Sequence, residues 1–298
     1  MPSTHIFDLP PEIIIRILKE LDEQSVGRLK VVSRYLNTII QKHGSALAKQ
    51  AVYLAVLREK ELIVERFLRR NRWEDYKYAV SEWLTDTSVL RQLAYAKVDT
   101  LRFQLTLPEE DVVELARRID ALKLSVFQVC FSECKLSSKS ITSLIAVLRP
   151  QQISIEFDPF FNGVTVEALC RDDSFREINT LNLVNSQMTD NSLGLITAEH
   201  LNVYETSRLT LKGLRHILLE WYSGKRNIQD YLLSITERFV PGRVFHGLPS
   251  RQRSVIAWEL KNSTGVLHVT IIGPELSFVK FFGITKLNCL TTCIQKRS

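Results

Sequence analysis

Apolar residues crowd the first helix-like stretch of the chain more densely than one buried stripe requires. In PPEIIIRILKE and the residue after it, Ile13, Ile17 and Leu21 make a stripe at helical spacing, while Ile14, Ile15 and Leu18 carry apolar surface further round the cylinder. Pro10 and Pro11 suit a first turn, where a missing N–H costs nothing and φ is already set. Asp22 and Glu23 break the pattern and Ser25 can cap a new helix. Val26, Leu29, Val32, Leu36, Ile39 and Ile40 then make a second apolar run that ends near His43-Gly44. A chain of below about 40 residues usually needs outside support. The unit is therefore expected to pack its second apolar face either on the rest of the chain or on a partner that takes an amphipathic helical hairpin.

Beyond it the period changes. Residues 46–72 read either as one charged helix or, preferably, as a hairpin in which Tyr53–Leu57 and Leu62–Val64 flank the polar Arg58-Glu59-Lys60-Glu61. Between Asn71 and Leu84 the aromatics Trp73, Tyr76, Tyr78 and Trp83 have mixed spacing and are expected to be buried. From residue 100 onward, β-like runs (122–126, 153–157, 180–184, 201–204 and 231–235) alternate with helical ones (138–148, 164–170, 191–196 and 210–221). Their strands begin about 20 to 31 residues apart, the spacing of stacked β-α repeats. Strand-like segments at 254–260, 265–272 and 277–282, separated by Lys261–Gly265 and Gly273-Pro274, predict a closing antiparallel element. The expected fold class is α+β: N-terminal helices, then an irregular leucine-rich-repeat-like β-α layered domain closed by a short antiparallel element.

The N-terminal residues resemble the F-box family. Phe7, Leu9-Pro10-Pro11-Glu12, Ile13, Ile17-Leu18, Leu21, Leu29, Val32, Ser33-Arg34, Leu36 and Ile39-Ile40 follow its pattern in order and type over roughly residues 6–42; Leu36 departs from the Trp or Phe that many members carry there. The resemblance implies a three-helix unit that docks on the SKP-type adaptor of a cullin-RING ubiquitin ligase, and through it on a cullin. It implies adaptor contacts by Leu9, Pro10, Ile13, Ile17, Leu18, Leu21, Leu29, Val32, Leu36 and Ile39, with the rest of the chain selecting a protein substrate of unknown identity. The later order of features, Leu209-Thr210 to Trp221-Tyr222-Ser223-Gly224, Tyr231-Leu232, Val244–Gly247 and a hairpin around Gly265, resembles the F-box-associated (FTH and type-2) domains of nematodes. The organisation this implies is an F-box over 1–44, a linking segment over 45–110 that is helix or hairpin and then helical, and a substrate-recognition domain over 111–298.

Charge and chemistry narrow this picture. The chain has 298 residues, 45% hydrophobic and 24% charged, ample for a folded core. Its net charge of +6 lies wholly at the C-terminal end, where residues 243–298 hold eight basic residues against two acidic ones. They are scattered among strand-like segments without the dense basic clusters that track a phosphate backbone, so a basic nucleic-acid binder is the weaker alternative. No apolar run long enough for a membrane span and no signal-peptide pattern is seen, which leads to a cytoplasmic or nuclear expectation. Five cysteines, Cys130, Cys134, Cys170, Cys289 and Cys293, show no zinc-ribbon spacing, and the six histidines form no HExxH. No catalytic residue, metal or cofactor is expected, and the alternative within the family is a non-degradative scaffold. Substrate contacts are expected at Phe160 and Phe161, which the turn chemistry of Asp158-Pro159 and Asn162-Gly163 puts on a β-to-α loop, and at Asn185 and Gln187 at the corresponding end of the next strand. The two phenylalanines either fold back on the core or stay exposed as an anchor.

Overall fold

A computed structural model describes residues 9–21, 23–43, 50–68, 72–79, 90, 93, 96–158, 160–161, 163–272 and 278–285. Helix α1 (Pro11–Glu20) starts on proline, with Glu12 in its first turn and Lys19 in its last, each charge suited to that end of the helix dipole. After α2 (Glu23–Val32), Ser33 interrupts the helix and α3 (Arg34–His43) follows. Ile14, Leu18, Val26, Leu36, Ile39 and Ile40 are buried together, with Leu9, Ile15, Leu21 and Leu29 packed on their edge. This small core is separate from the large one formed by the rest of the chain.

Thirteen strands among the described residues make one sheet. Its centre is parallel: β1 (Gln50–Arg58), β4 (Ala96–Gln104), β5 (Ser125–Phe131), β6 (Gln152–Glu156), β7 (Thr180–Val184), β8 (His200–Tyr204) and β9 (Asp230–Ser234) lie side by side. From β4 to β9 each strand is the neighbour of the one before it in the chain. Helices α4 (Glu109–Leu122), α5 (Ser138–Leu148), α6 (Val166–Leu169), α7 (Asp173–Arg176), α8 (Asp190–Leu195) and α9 (Leu211–Tyr222) occupy the connections, and α10 (Pro241–Val244) follows β9. A parallel sheet covered on both faces has nearly continuous apolar strands. Here the pattern alternates: Ile153, Leu181, Leu201 and Tyr231 are register partners and buried, as are Ile155, Leu183, Val203 and Leu233, whereas Ser154, Asn182, Asn202 and Leu232 between them are only partly buried. The first face joins Leu144, Ile145, Leu193, Leu214 and Ile217 of the helices in the main core. From β6 to β8 this second face is partly exposed among the described residues, whereas toward β1 and the strand beyond it Cys130, Val56 and Ile63 on the same face are buried.

Short polar residues decide where the helices begin. Ser137, Thr165, Thr189 and Thr210 each stand at an N-cap, and each side chain accepts a backbone N–H of the first turn. Antiparallel strands finish both ends of the sheet. Strand β2 (Glu61–Leu68) pairs with β1, and β3 (Arg72–Ala79) pairs with β2. At the other end β13 (Phe278–Thr285) pairs with β9, followed outward by β12 (Gly265–Ile272), β11 (Ala257–Lys261) and β10 (Ser250–Ser254).

Several expectations change. Of the two readings of residues 46–72, the described part is the hairpin, β1 against β2. After it come the strands β3 and β4, with Leu90 and Leu93 helical between them, and β1 to β4 belong to the same sheet as β5 to β9. The strand expected at 122–126 begins later. Val112, Leu115, Ala116 and Ile119 carry the buried stripe of α4 to Leu122, Lys123 closes the helix at φ 48°, and the strand runs from Ser125 to Phe131. Trp83, Cys289 and Cys293 lie outside the described residues.

Candidate functional site

Two surfaces carry the residues singled out by sequence. On the N-terminal helices the ten expected adaptor contacts divide. Leu18, Leu36 and Ile39 are buried in the small core, and Leu9, Leu21 and Leu29 lie half-buried at its edge. Pro10, Ile13, Ile17 and Val32 are exposed. Ile14 and Leu18 form the inward stripe of α1, so Ile13 and Ile17, one position earlier, form a second stripe facing out. Sequence reading missed Val31, 89% exposed beside Val32 at 71%, and Tyr35. The signal was present: Val26 and Leu29 turn the α2 stripe inward, and two valines at its end cannot both lie on that stripe.

The second surface is at the C-terminal ends of the parallel strands. The structure separates the phenylalanine pair. Phe160 is 95% exposed, on a turn in which its N–H donates to Asp158 Oδ1 at 2.8 Å. Phe161 folds back over Gly163, where a Cβ would lie 2.4 Å from the ring. Phe161, Asn185 and Gln187 then share a cleft of about 200 Å³ with Asp158, Glu167 and Arg208; Phe160 stands outside it. Phe157 and Val164 give the cleft apolar wall, and Ser186 also lines it.

Hydrogen bonds beyond the strand ends hold these loops together. Phe157 N donates to Val184 O (3.0 Å), Gln187 N to Thr206 O (2.8 Å) and Arg208 N to Met188 O (2.7 Å). Asn185 and Gln187 both adopt positive φ, 56° and 46°, which directs the loop outward on either side of Ser186. The side chains are fixed too. Arg208 Nη2 donates to Gln187 Oε1 (2.7 Å), Thr189 Oγ1 to Glu167 Oε1 (2.8 Å) and Thr206 Oγ1 to Asn185 Oδ1 (3.2 Å). On the partly exposed face of the sheet Tyr204 and Val184 lie at the cleft end, exposed and half-buried, with Leu232 and Phe278 half-buried further along and Phe282 exposed at the opposite end of β9, across from Asp230.

Burial pushes the thiols of Cys134 and Cys170 up to about 11 and also raises that of Cys130, the reverse of an activated nucleophile. Among the described residues no group of three His, Cys, Asp or Glu could hold a metal ion, and no helix is long and apolar enough to cross a membrane. The C-terminal basic residues are dispersed and partly paired: Arg253 and Lys261 both reach Glu259, Arg243 reaches Glu237, and Lys280 lies 3.4 Å from Asp230. Lys286, Lys296 and Arg297 lie outside the described residues.

A comparison with curated proteins returns no match. A family model described as F-box-like matches residues 6–45, a stretch that contains α1, α2 and α3. Residues 6–45 are an F-box-like domain, of the kind that binds SKP-type adaptors within cullin complexes.

Proposed function

We propose that the chain is a non-catalytic substrate-recognition subunit of an SCF-type cullin-RING ubiquitin ligase. One observation carries the adaptor half: α1 to α3 have a core of their own, yet Pro10, Ile13, Ile17, Val31, Val32 and Tyr35 remain exposed around it. Apolar side chains surplus to a closed core are what a partner buries. Leu18, Leu36 and Ile39 serve the same contact indirectly, by holding the helices at their angles, with Leu9, Leu21 and Leu29 at the margin. The remaining sheet, residues 50–285, is a leucine-rich-repeat-like array akin to the nematode F-box-associated domains. Its partly exposed face and the cleft beside Phe161, Asn185 and Gln187 hold a protein substrate, with Phe160 as an exposed anchor. The ligase contribution is proximity: a bound lysine is placed near a charged ubiquitin carrier, so attack becomes effectively intramolecular.

The test uses the full chain with Ile13→Ser and Ile17→Ser. Adaptor and cullin should no longer co-purify, while the thermal transition of the sheet domain is unchanged. Capture equal to the natural chain overturns the adaptor assignment. Comparing ubiquitinated proteins recovered with the intact chain and with one lacking residues 1–42 tests the ligase role. Identical sets, with cullin still bound by the intact chain, replace it with a scaffold.

A further inference from the structure

We draw no further inference here: the strongest candidate, the apolar cleft of about 410 Å³ that Trp221, Ile228, Val266 and Ile284 line between the end of α9, the start of β12 and the end of β13, has its polar neighbours Arg226, Asn227 and Thr264 already engaged within the fold, and nothing in the structure shows what covers it.

Discussion

Arg226 Nε donates to Glu220 Oε2 at 2.8 Å, while its two terminal nitrogens donate to Ile196 O at 2.7 Å and Gly194 O at 3.2 Å. The side chain is 6% exposed. One guanidinium thus neutralises a carboxylate on α9 and satisfies carbonyls at the end of α8 that no helical N–H can reach. Arg226→Met removes all of this at once and leaves Glu220 without its buried counter-charge. A loss of about 3 kcal/mol is expected, read as a lower urea midpoint with unchanged slope. Arg226→Lys should recover only part of it, since an ammonium cannot span three acceptors arranged as a fork.

Close backbone approach fixes Gly283. A Cβ there would lie 2.0 Å from Ile228 O, and Gly283 N itself donates to Gln229 O at 2.8 Å. Gly283→Ala forces β13 away from the start of β9 and should cost at least about 2 kcal/mol by overpacking. Gly27→Ala should act in the opposite direction. That glycine is inside α2 with nothing within 4 Å of an added Cβ, so the change gains about 1 kcal/mol of helix propensity. Chemical denaturation of the two variants side by side checks both signs.

Lys123 and Arg149 end α4 and α5 in the same left-handed conformation, φ 48° and 46°. Residues with a Cβ are strained there, and glycine is not. Lys123→Gly and Arg149→Gly should each stabilise the fold by about 0.5 to 1 kcal/mol, after allowing for glycine's greater freedom in the unfolded chain. The double variant should show close to the summed gain. A midpoint below that of the natural chain would contradict the cap geometry.

The half-buried thiol of Cys134 and the buried one of Cys170 predict a pH dependence. Burial raises Cys134 and Cys170 from 9.0 to about 11, so the folded chain prefers them protonated. Their contribution to stability is complete below pH 9 and is lost as pH rises toward and through 11, because the unfolded chain releases these protons first. Denaturation midpoints should be flat from neutral pH to about pH 8.5 and fall above it. At pH 8, iodoacetamide should label Cys134 and Cys170 at least about tenfold more slowly in the folded chain than in urea, read by mass spectrometry of the two peptides.

Much of the architecture was legible because burial on one face writes itself as alternation. Thr180-Leu181-Asn182-Leu183-Val184 could be read directly as β7, and the run Ser138–Leu148 is α5 as expected, opened by the Ser137 cap. β3 was harder. It lies at the edge of the sheet, so Glu74, Asp75 and Lys77 interrupt what would otherwise read as a strand, and of the aromatics expected to be buried Tyr78 is half-buried and Tyr76, on the same face, is exposed. In α1, isoleucine at 13, 14 and 15 makes two stripes possible, and only packing against α3 decides that Ile14 and Leu18 turn inward. The cleft shows the same limit. Turn chemistry placed Phe160 and Phe161 on a loop, but Glu167 and Arg208 join Asn185 and Gln187 through the β6–β7–β8 register, which no local pattern contains.

The antiparallel strands at the two ends of the sheet set its length. A stack in which each β-α unit offers its neighbour the same kind of edge is in principle a growing polymer, with nothing in the unit itself to say where it stops. β2 and β3 on one side, and β10 to β13 on the other, act as end groups: they occupy the edges of β1 and β9 with strands running the wrong way for another unit to follow. Arg251 and Arg253 on the outermost strand β10 further discourage a second molecule from adding there. A chain cut back to β9 would present one bare parallel edge while β2 and β3 still cover the other, and would be expected to pair with a second copy through β9 rather than remain a single particle.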